Sequence, residues 1–163
     1  MRIAIYPGTF DPPTYGHLNV IERSLKIYDR VIVAVATSSI KETVFTSAER
    51  AEMLKTLFAE EPRVEIDSFE GLLVDYVKKR QANVILRGLR TVYDFEYEFQ
   101  MALANKKLDE QIETVFMMTD AKYAFHSSSI IKEVVRLAGE TRGMLPPIVE
   151  DRLKKKIYSK RGK

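Results

Sequence analysis

The chain has 163 residues, 45% of them hydrophobic and 30% charged, with only 7 glycines and 6 prolines. That is the composition of an ordinary globular chain with one buried core, expected as one domain over residues 1–163, and it excludes disordered, collagen-like and membrane-spanning classes. The formal charge of +3 comes from 26 Lys and Arg against 23 Asp and Glu; with a sequence pI of about 9.0 it invites a nucleic-acid or membrane-surface partner. The distribution of charge argues against both. Seven basic residues (Arg152, Lys154, Lys155, Lys156, Lys160, Arg161, Lys163) and no acid fall in the last twelve positions, leaving 19 basic against 23 acidic residues before Arg152, a net of −4. The basic excess is a tail, expected to fray from about Ser159 to Lys163, and no nucleic-acid or membrane partner is expected.

Cysteine is absent, which excludes disulfides, thiolate zinc sites and cysteine nucleophiles, and two histidines, His17 and His126, are too few for an all-histidine metal cage. The opening MRIAIYPGTF holds only a short apolar stretch, Ile3 to Tyr6, before Pro7 and Gly8, too short for a signal peptide. A cytoplasmic protein is the expectation.

In chain order, short β-branched runs predict strands at Arg2 to Tyr6, Arg30 to Ala36, Arg63 to Ser68, Asn83 to Leu86 and Glu113 to Met118. Helices alternate with them. The first carries the stripe Leu18, Ile21, Leu25, Tyr28, and the second opens on a capping box, Thr46 to Glu49, followed by Ala51, Leu54, Leu57 and Phe58. The third shows Leu72, Leu73, Tyr76 and Val77, and the fourth Phe95, Phe99, Ala102 and Leu103. Ser127 to Ser129 cap the fifth, with stripe Ile130, Val134, Leu137 and a C′ stop at Gly139. Pro146 and Pro147 open the last, with Val149, Leu153 and Ile157 at intervals of four. This alternation implies an α/β, single-domain, Rossmann-like fold: a five-stranded parallel sheet with helices on both faces.

Such a sheet binds ligands beyond the carboxyl ends of its strands. No two of the glycines (8, 16, 71, 88, 139, 143, 162) are two apart, so neither a G-x-G-x-x-G nor a G-x-x-x-x-G-K-[ST] loop exists. Nicotinamide dehydrogenases and P-loop kinases drop out. A different anion site follows the first strand: Pro7 to Phe10 turns the chain and Thr14-Tyr15-Gly16-His17 places His17 at a helix N-terminus, where free N–H groups favour phosphate. After the fourth strand come Arg87 and Arg90 around Gly88, forks suited to phosphate. Lys41 adds a point charge, and Ser127, Ser128 and Ser129 offer a second cradle. Asp94 and Glu98, four apart, share a helix face, most simply a solvated one.

PGTFDPPTYGH, Lys41, RGLR, DFEYE and HSSSIIKE together resemble the phosphopantetheine adenylyltransferases, members of the nucleotidyltransferase superfamily marked by a T/H-x-G-H loop, here TYGH. The likeness runs from Arg2 to about Ile157. It implies adenylyl transfer from ATP to the phosphate of 4′-phosphopantetheine, giving dephospho-coenzyme A and pyrophosphate, with Mg²⁺ held mainly by substrate phosphates and no covalent enzyme intermediate. It also implies a cytoplasmic homohexamer. Thr9, Lys41, Leu73 and Arg87 would hold phosphopantetheine; His17 would stabilise the pentavalent α-phosphorus, helped by Lys41, Arg87 and Arg90. Thr9, Phe10, His17, Gly88, Leu89, Arg90, Glu98, Tyr123, Ala124, Phe125, His126, Ser127, Ser128 and Ser129 would form the ATP site. Transfer of an adenylyl or cytidylyl group to another acceptor, such as nicotinamide mononucleotide or glycerol phosphate, is the alternative within the same chemistry. In that resemblance the residue before the serine triplet is usually apolar; here it is His126. The expectation is a tolerated exchange, with His126→Leu leaving the Michaelis constant for ATP unchanged through the neutral pH range.

Overall fold

The computed structural model describes residues 1–37 and 42–159. Strands β1 (Ile3–Gly8), β2 (Arg30–Ala36), β3 (Val64–Phe69), β4 (Val84–Leu89) and β5 (Glu113–Met118) form a sheet in the order β3-β2-β1-β4-β5, every neighbouring pair parallel. Between and after them run α1 (Tyr15–Ser24), α2 (Ser47–Leu57), α3 (Leu73–Lys79), α4 (Val92–Leu108), α5 (Ser128–Arg136) and α6 (Pro147–Ser159), with a 3-10 turn at Ala121–Tyr123.

The two-residue period of the strands splits the core. Ala4, Tyr6, Val31, Val33, Val35 and Leu86 face α1 and α2, where Val20, Ile21, Leu54 and Phe58 meet them. Ile5, Ile32, Ala34 and Ile85 face the other way, onto Val74, Tyr76 and Val77 of α3. A third cluster lies outside the sheet: Val149, Leu153 and Ile157 of α6 pack on Met53 of α2 and Ile131 and Val135 of α5. The basic tail therefore begins as a docked helix, and its cations find acids: Arg152 pairs with Glu52, Lys154 with Glu150, and Lys156 with Glu49. Residues 160–163 lie outside the described residues.

Three sequence expectations need correction. The buried stripe of α5 is Ile131 and Val135; Ile130 and Leu137 are exposed, because α5 packs on α6 rather than on the sheet. The left-handed residue that ends α5 is Ala138, at φ 59°, not Gly139. The Ala138 N–H donates to the Val135 carbonyl and the Gly139 N–H to the Val134 carbonyl, a Schellman closure that places glycine one position later. Finally, Phe95, Phe99 and Leu103 on α4 are exposed rather than turned into the core.

Leu153 is fully buried and joins α6 to α2 and α5. Leu153→Ala should cost about 2–5 kcal/mol, read as a lowered urea midpoint at unchanged slope. A loss too small to measure would show that α6 is not part of the core.

Candidate active site

β1 pairs with β2 along all six of its residues but with β4 only at Ala4↔Val84 and Ile5↔Ile85. Past those pairs the two central strands part, and a cleft of about 340 Å³ opens between their carboxyl ends, lined by residues of β1, β4, α1, α4, α5 and the loops after β1, β2 and β5. This is the point at which the strand order reverses. β4 runs three residues further than its apolar run suggests, so Arg87 and Gly88 sit within the strand rather than in the loop after it.

His17 is placed by α1. Thr14 is the N-cap, its Oγ1 accepting from the His17 N–H at 3.4 Å, and the Thr14 N–H donates to His17 Nδ1 at 3.0 Å. A backbone N–H can only donate, so Nδ1 is the bare nitrogen and the neutral ring carries its proton on Nε2. Burial, with the Arg90 and Arg87 charges beyond it, pushes the His17 pKa down to about 4. The ring is therefore a neutral donor throughout the physiological range. Phe10, 3% exposed, packs edge-on against both Tyr6 and His17, with ring centroids 5.4 and 5.0 Å away. Gly8 is required for this: a Cβ there would stand 2.8 Å from Phe10 Cζ.

Both arginines of the cleft are held by carboxylates of α4. Arg87 donates from Nε and Nη2 to the two oxygens of Glu98, at 2.6 and 2.5 Å, and from Nη1 to the Pro7 carbonyl at 2.8 Å. Where the β1–β4 ladder stops, a side chain thus spans the strands. Burial works against the Arg87 charge, but the Glu98 hydrogen bonds and charge hold its pKa above the ordinary value. Arg90 makes a matching pair with Asp94, Nε to Oδ2 at 3.1 Å and Nη2 to Oδ1 at 3.0 Å. The helix face expected to be solvated instead orients the cations.

Several charged residues in and around the site went unnoticed in the sequence. Asp11, 4% exposed, accepts from the Val44 and Phe45 amides and from Lys132 Nζ at 2.8 Å, tying the loop after β1 to the approach of α2 and to α5. Arg50, 1% exposed, donates to the carbonyls of Thr9, Ala36, Phe45 and Thr46. Asp120 is held by Asn19 and Arg23 of α1, fixing the start of the segment that leads from β5 to α5. A capping residue such as Ser127 announces itself by position, whereas a buried charge is invisible until its partners, up to 121 residues away for Asp11 and Lys132, are known.

Of the expected site residues, Thr9, Phe10, His17, Arg87, Gly88, Arg90, Glu98, His126, Ser127, Ser128 and Ser129 line the cleft. Leu73 lines a smaller adjoining cavity of about 100 Å³ that shares Arg87 and Glu98 with it. Leu89 is buried in the sheet, and Tyr123, Ala124 and Phe125 stand outside the cleft wall, with Phe125 exposed and Tyr123 stacked on Tyr15. Lys41 lies outside the described residues. Ser127 Oγ accepts from the Ile130 N–H as the cap of α5, and Ser128 Oγ donates to the Pro12 carbonyl. Among the described residues no three histidines or carboxylates converge as metal ligands, and Asp11, Asp94 and Glu98 are already engaged by cations.

Comparison with known proteins gives this geometry its context. Residues 5–134 match the family described as cytidylyltransferase-like. The phosphopantetheine adenylyltransferase of Geobacter sulfurreducens is 51% identical over 156 residues, 96% of this chain and 95% of that protein. The chain belongs to the phosphopantetheine adenylyltransferase family. Relatives of the same name from Geotalea daltonii and Carboxydothermus hydrogenoformans are each 52% identical over 157 residues, 96% of this chain and 98% and 97% of theirs. A solved structure of a candidate nicotinate-nucleotide adenylyltransferase from Vibrio parahaemolyticus, 20% identical, shares the fold at a TM-score of 0.74 over 97% of this chain and 96% of that one.

The lowered pKa of His17 has a measurable signature in this family member. Unfolded, the ring would take a proton near pH 6.5; folded, only near pH 4. Between these values the unfolded chain binds the extra proton, so stability falls as pH falls, by roughly 3 kcal/mol in all for this group. His126, also lowered by burial, acts in the same direction. His17→Gln should flatten the loss of stability seen by urea unfolding between pH 7 and pH 5; a variant that kept the full slope would contradict the assignment.

Proposed function

We propose that the protein transfers the adenylyl group of ATP to the phosphate of 4′-phosphopantetheine, releasing pyrophosphate and forming dephospho-coenzyme A. The observation that carries this reading is His17 held as a neutral Nε2 donor beside Arg87 and Arg90, in the cleft of a chain about half identical to proteins of that name. An oxygen of the acceptor phosphate attacks the α-phosphorus in line; the new bond is O–Pα, the broken one joins Pα to the bridging oxygen of the β-phosphate, and pyrophosphate departs with that oxygen. No protein atom is bonded covalently along the way. Charge gathers on the α-phosphate oxygens, which a fixed neutral donor and two guanidiniums stabilise without reorganising.

In this reading Thr9, Leu73, Arg87 and Lys41 receive phosphopantetheine, and the cradle from His126 to Ser129 with the N-terminus of α1 receives the triphosphate. Glu98 and Asp94 are positioning residues for Arg87 and Arg90. Mg²⁺ enters with ATP as the substrate's own ion: three of the cleft carboxylates, Glu98, Asp94 and Asp11, are bonded to Arg87, Arg90 and Lys132, and Mg²⁺ is commonly held by phosphates and waters rather than by a protein cage. We take the protein to work in the cytoplasm, a reading that soluble substrates fit. We also take the protein to be a homohexamer, supported by α4, whose Val92, Tyr93, Tyr97, Phe99 and Leu103 are exposed, Tyr93 to 92%.

Pyrophosphate release should be seen with phosphopantetheine and not with nicotinamide mononucleotide or glycerol phosphate; the reverse pattern would move the assignment to another acceptor. His17→Ala should lower turnover by about 10²–10³-fold while changing ATP affinity far less. In sedimentation equilibrium the native protein should run at six times the 18.8 kDa chain mass, and Tyr93→Glu with Tyr97→Glu should shift it to smaller species. Monomer mass at all micromolar concentrations would refute the hexamer.

A further inference from the structure

Tyr6 lies in β1 on the face that meets α1 and α2, and its ring fills apolar space beside Val20 and Phe10, edge-on to the latter at 5.4 Å. The residue is only 5% exposed, yet it lines the cleft. Its hydroxyl reaches across to β4, where a Cβ on Gly88 would stand 3.0 Å from the Tyr6 oxygen and 3.0 Å from Val20 Cγ2. Glycine at position 88 thus leaves room for the hydroxyl, on a stretch of chain with Arg87 just before it and Arg90 just after.

Among the described residues, the buried side-chain atom that is both sealed and without a hydrogen-bond partner is His126 Nδ1, which no ligand can meet. The Tyr6 oxygen differs: it too has no hydrogen-bond partner among the described residues, but it opens on the cleft. A phenylalanine would fill the same apolar space, so packing accounts for the ring and not for the hydroxyl. The charges nearby are already engaged, Arg87 by Glu98 and the Pro7 carbonyl, Arg90 by Asp94. Loss of water on burial, with the Glu98 charge, pushes the Tyr6 pKa up to about 12 against the pull of Arg87 and Arg90, so the hydroxyl keeps its proton. A protonated hydroxyl can donate, and the oxygens of an ionised phosphate accept.

We propose that Tyr6 is a catalytic residue whose hydroxyl donates a hydrogen bond to a substrate phosphate oxygen at the reacting centre. The inference rests on the adenylyl transfer proposed above and adds to it a donor from the floor of the cleft. Phe10 packs edge-on against both Tyr6 and His17, so a single ring sets the spacing of two neutral donors. Both keep their protons at neutral pH, and both are held in place before the substrate arrives, so neither has to reorganise as charge develops.

The test compares pyrophosphate release and the thermal midpoint of the free protein for the wild type and Tyr6→Phe. The variant should lose about 10- to 100-fold in kcat/KM, the weight of one hydrogen bond to a charged acceptor. Its midpoint should stay within about 2 °C of the wild type or rise, because no bond inside the protein is lost. Sulfur locates the acceptor, using the two diastereomers of ATP with sulfur in place of one α-phosphate oxygen. A gap between wild type and variant that shrinks for one diastereomer assigns the α-phosphate; an equal gap for both assigns the phosphate of phosphopantetheine. Tyr6→Phe turning over within about twofold of the wild type overturns the inference alone. Lost turnover accompanied by a clearly lowered midpoint also overturns it, since the hydroxyl would then be structural. A wild-type protein that releases no pyrophosphate overturns the transfer reaction, and this inference with it.

Discussion

The parting of β1 and β4 beyond Ile5 and Ile85 is the constraint on which the site depends. From β1 the chain crosses to β2 on one side, and from β4 to β5 on the other, so the two connections diverge and neither fills the gap between the strands. The gap exposes the Pro7 carbonyl, which a side chain must satisfy, and Arg87 does so from the neighbouring strand. A guanidinium so poorly hydrated needs a counter-charge, which α4 supplies as Glu98. Strand divergence, arginine placement and the carboxylate face of α4 are thus three consequences of one topology.

The loops around the cleft are fastened by buried charge as well as by apolar packing. Asp11 and Lys132 form a pair with side chains 4% and 15% exposed, and Arg50 holds the carbonyls that end β1 and β2. Such groups add little net stability, since desolvation offsets much of their attraction, but removing one partner leaves the other strongly unsatisfied. They suit a site in which geometry matters more than stability: a shift of about 1 Å in donors that face a developing charge can cost orders of magnitude in rate.

How far the sequence disclosed all this varied with the range of the interaction. Caps were readable because they are local: Thr46 and Glu49 close on each other as their spacing implies, and Thr14 caps α1 by the same geometry with His17 as the reciprocal partner. Val149, Leu153 and Ile157 were readable because a helix docking on a flat apolar surface needs only one period. The face of α5 was misread because Ile130, Ile131, Val134 and Val135 offer two stripes, and only the position of α6 chooses between them. Arg87 and Arg90 fall at the carboxyl end of β4, yet their partners were not legible: Asp94 and Glu98 look like any solvated helix face until β4 is known to carry Arg87 beneath them. Likewise nothing in the tripeptide around His126 foretold that Nδ1 would be sealed.

The Arg87–Glu98 and Arg90–Asp94 pairs have a consequence for selectivity. At rest both guanidiniums are matched by carboxylates, so among the described residues they do not form a bare cationic well open to whatever anion diffuses by. Carboxylates matched to guanidinium forks set a threshold of affinity: chloride, acetate or a lone carboxylic metabolite gains nothing by displacing a partner of its own kind. A ligand offering several anionic oxygen clusters at once, arranged to meet both forks together with the donors of α1 and α5, exceeds that threshold. The acids of α4 thereby temper the pull of the cleft on the cell's abundant anions while they hold both forks in place for a polyphosphate.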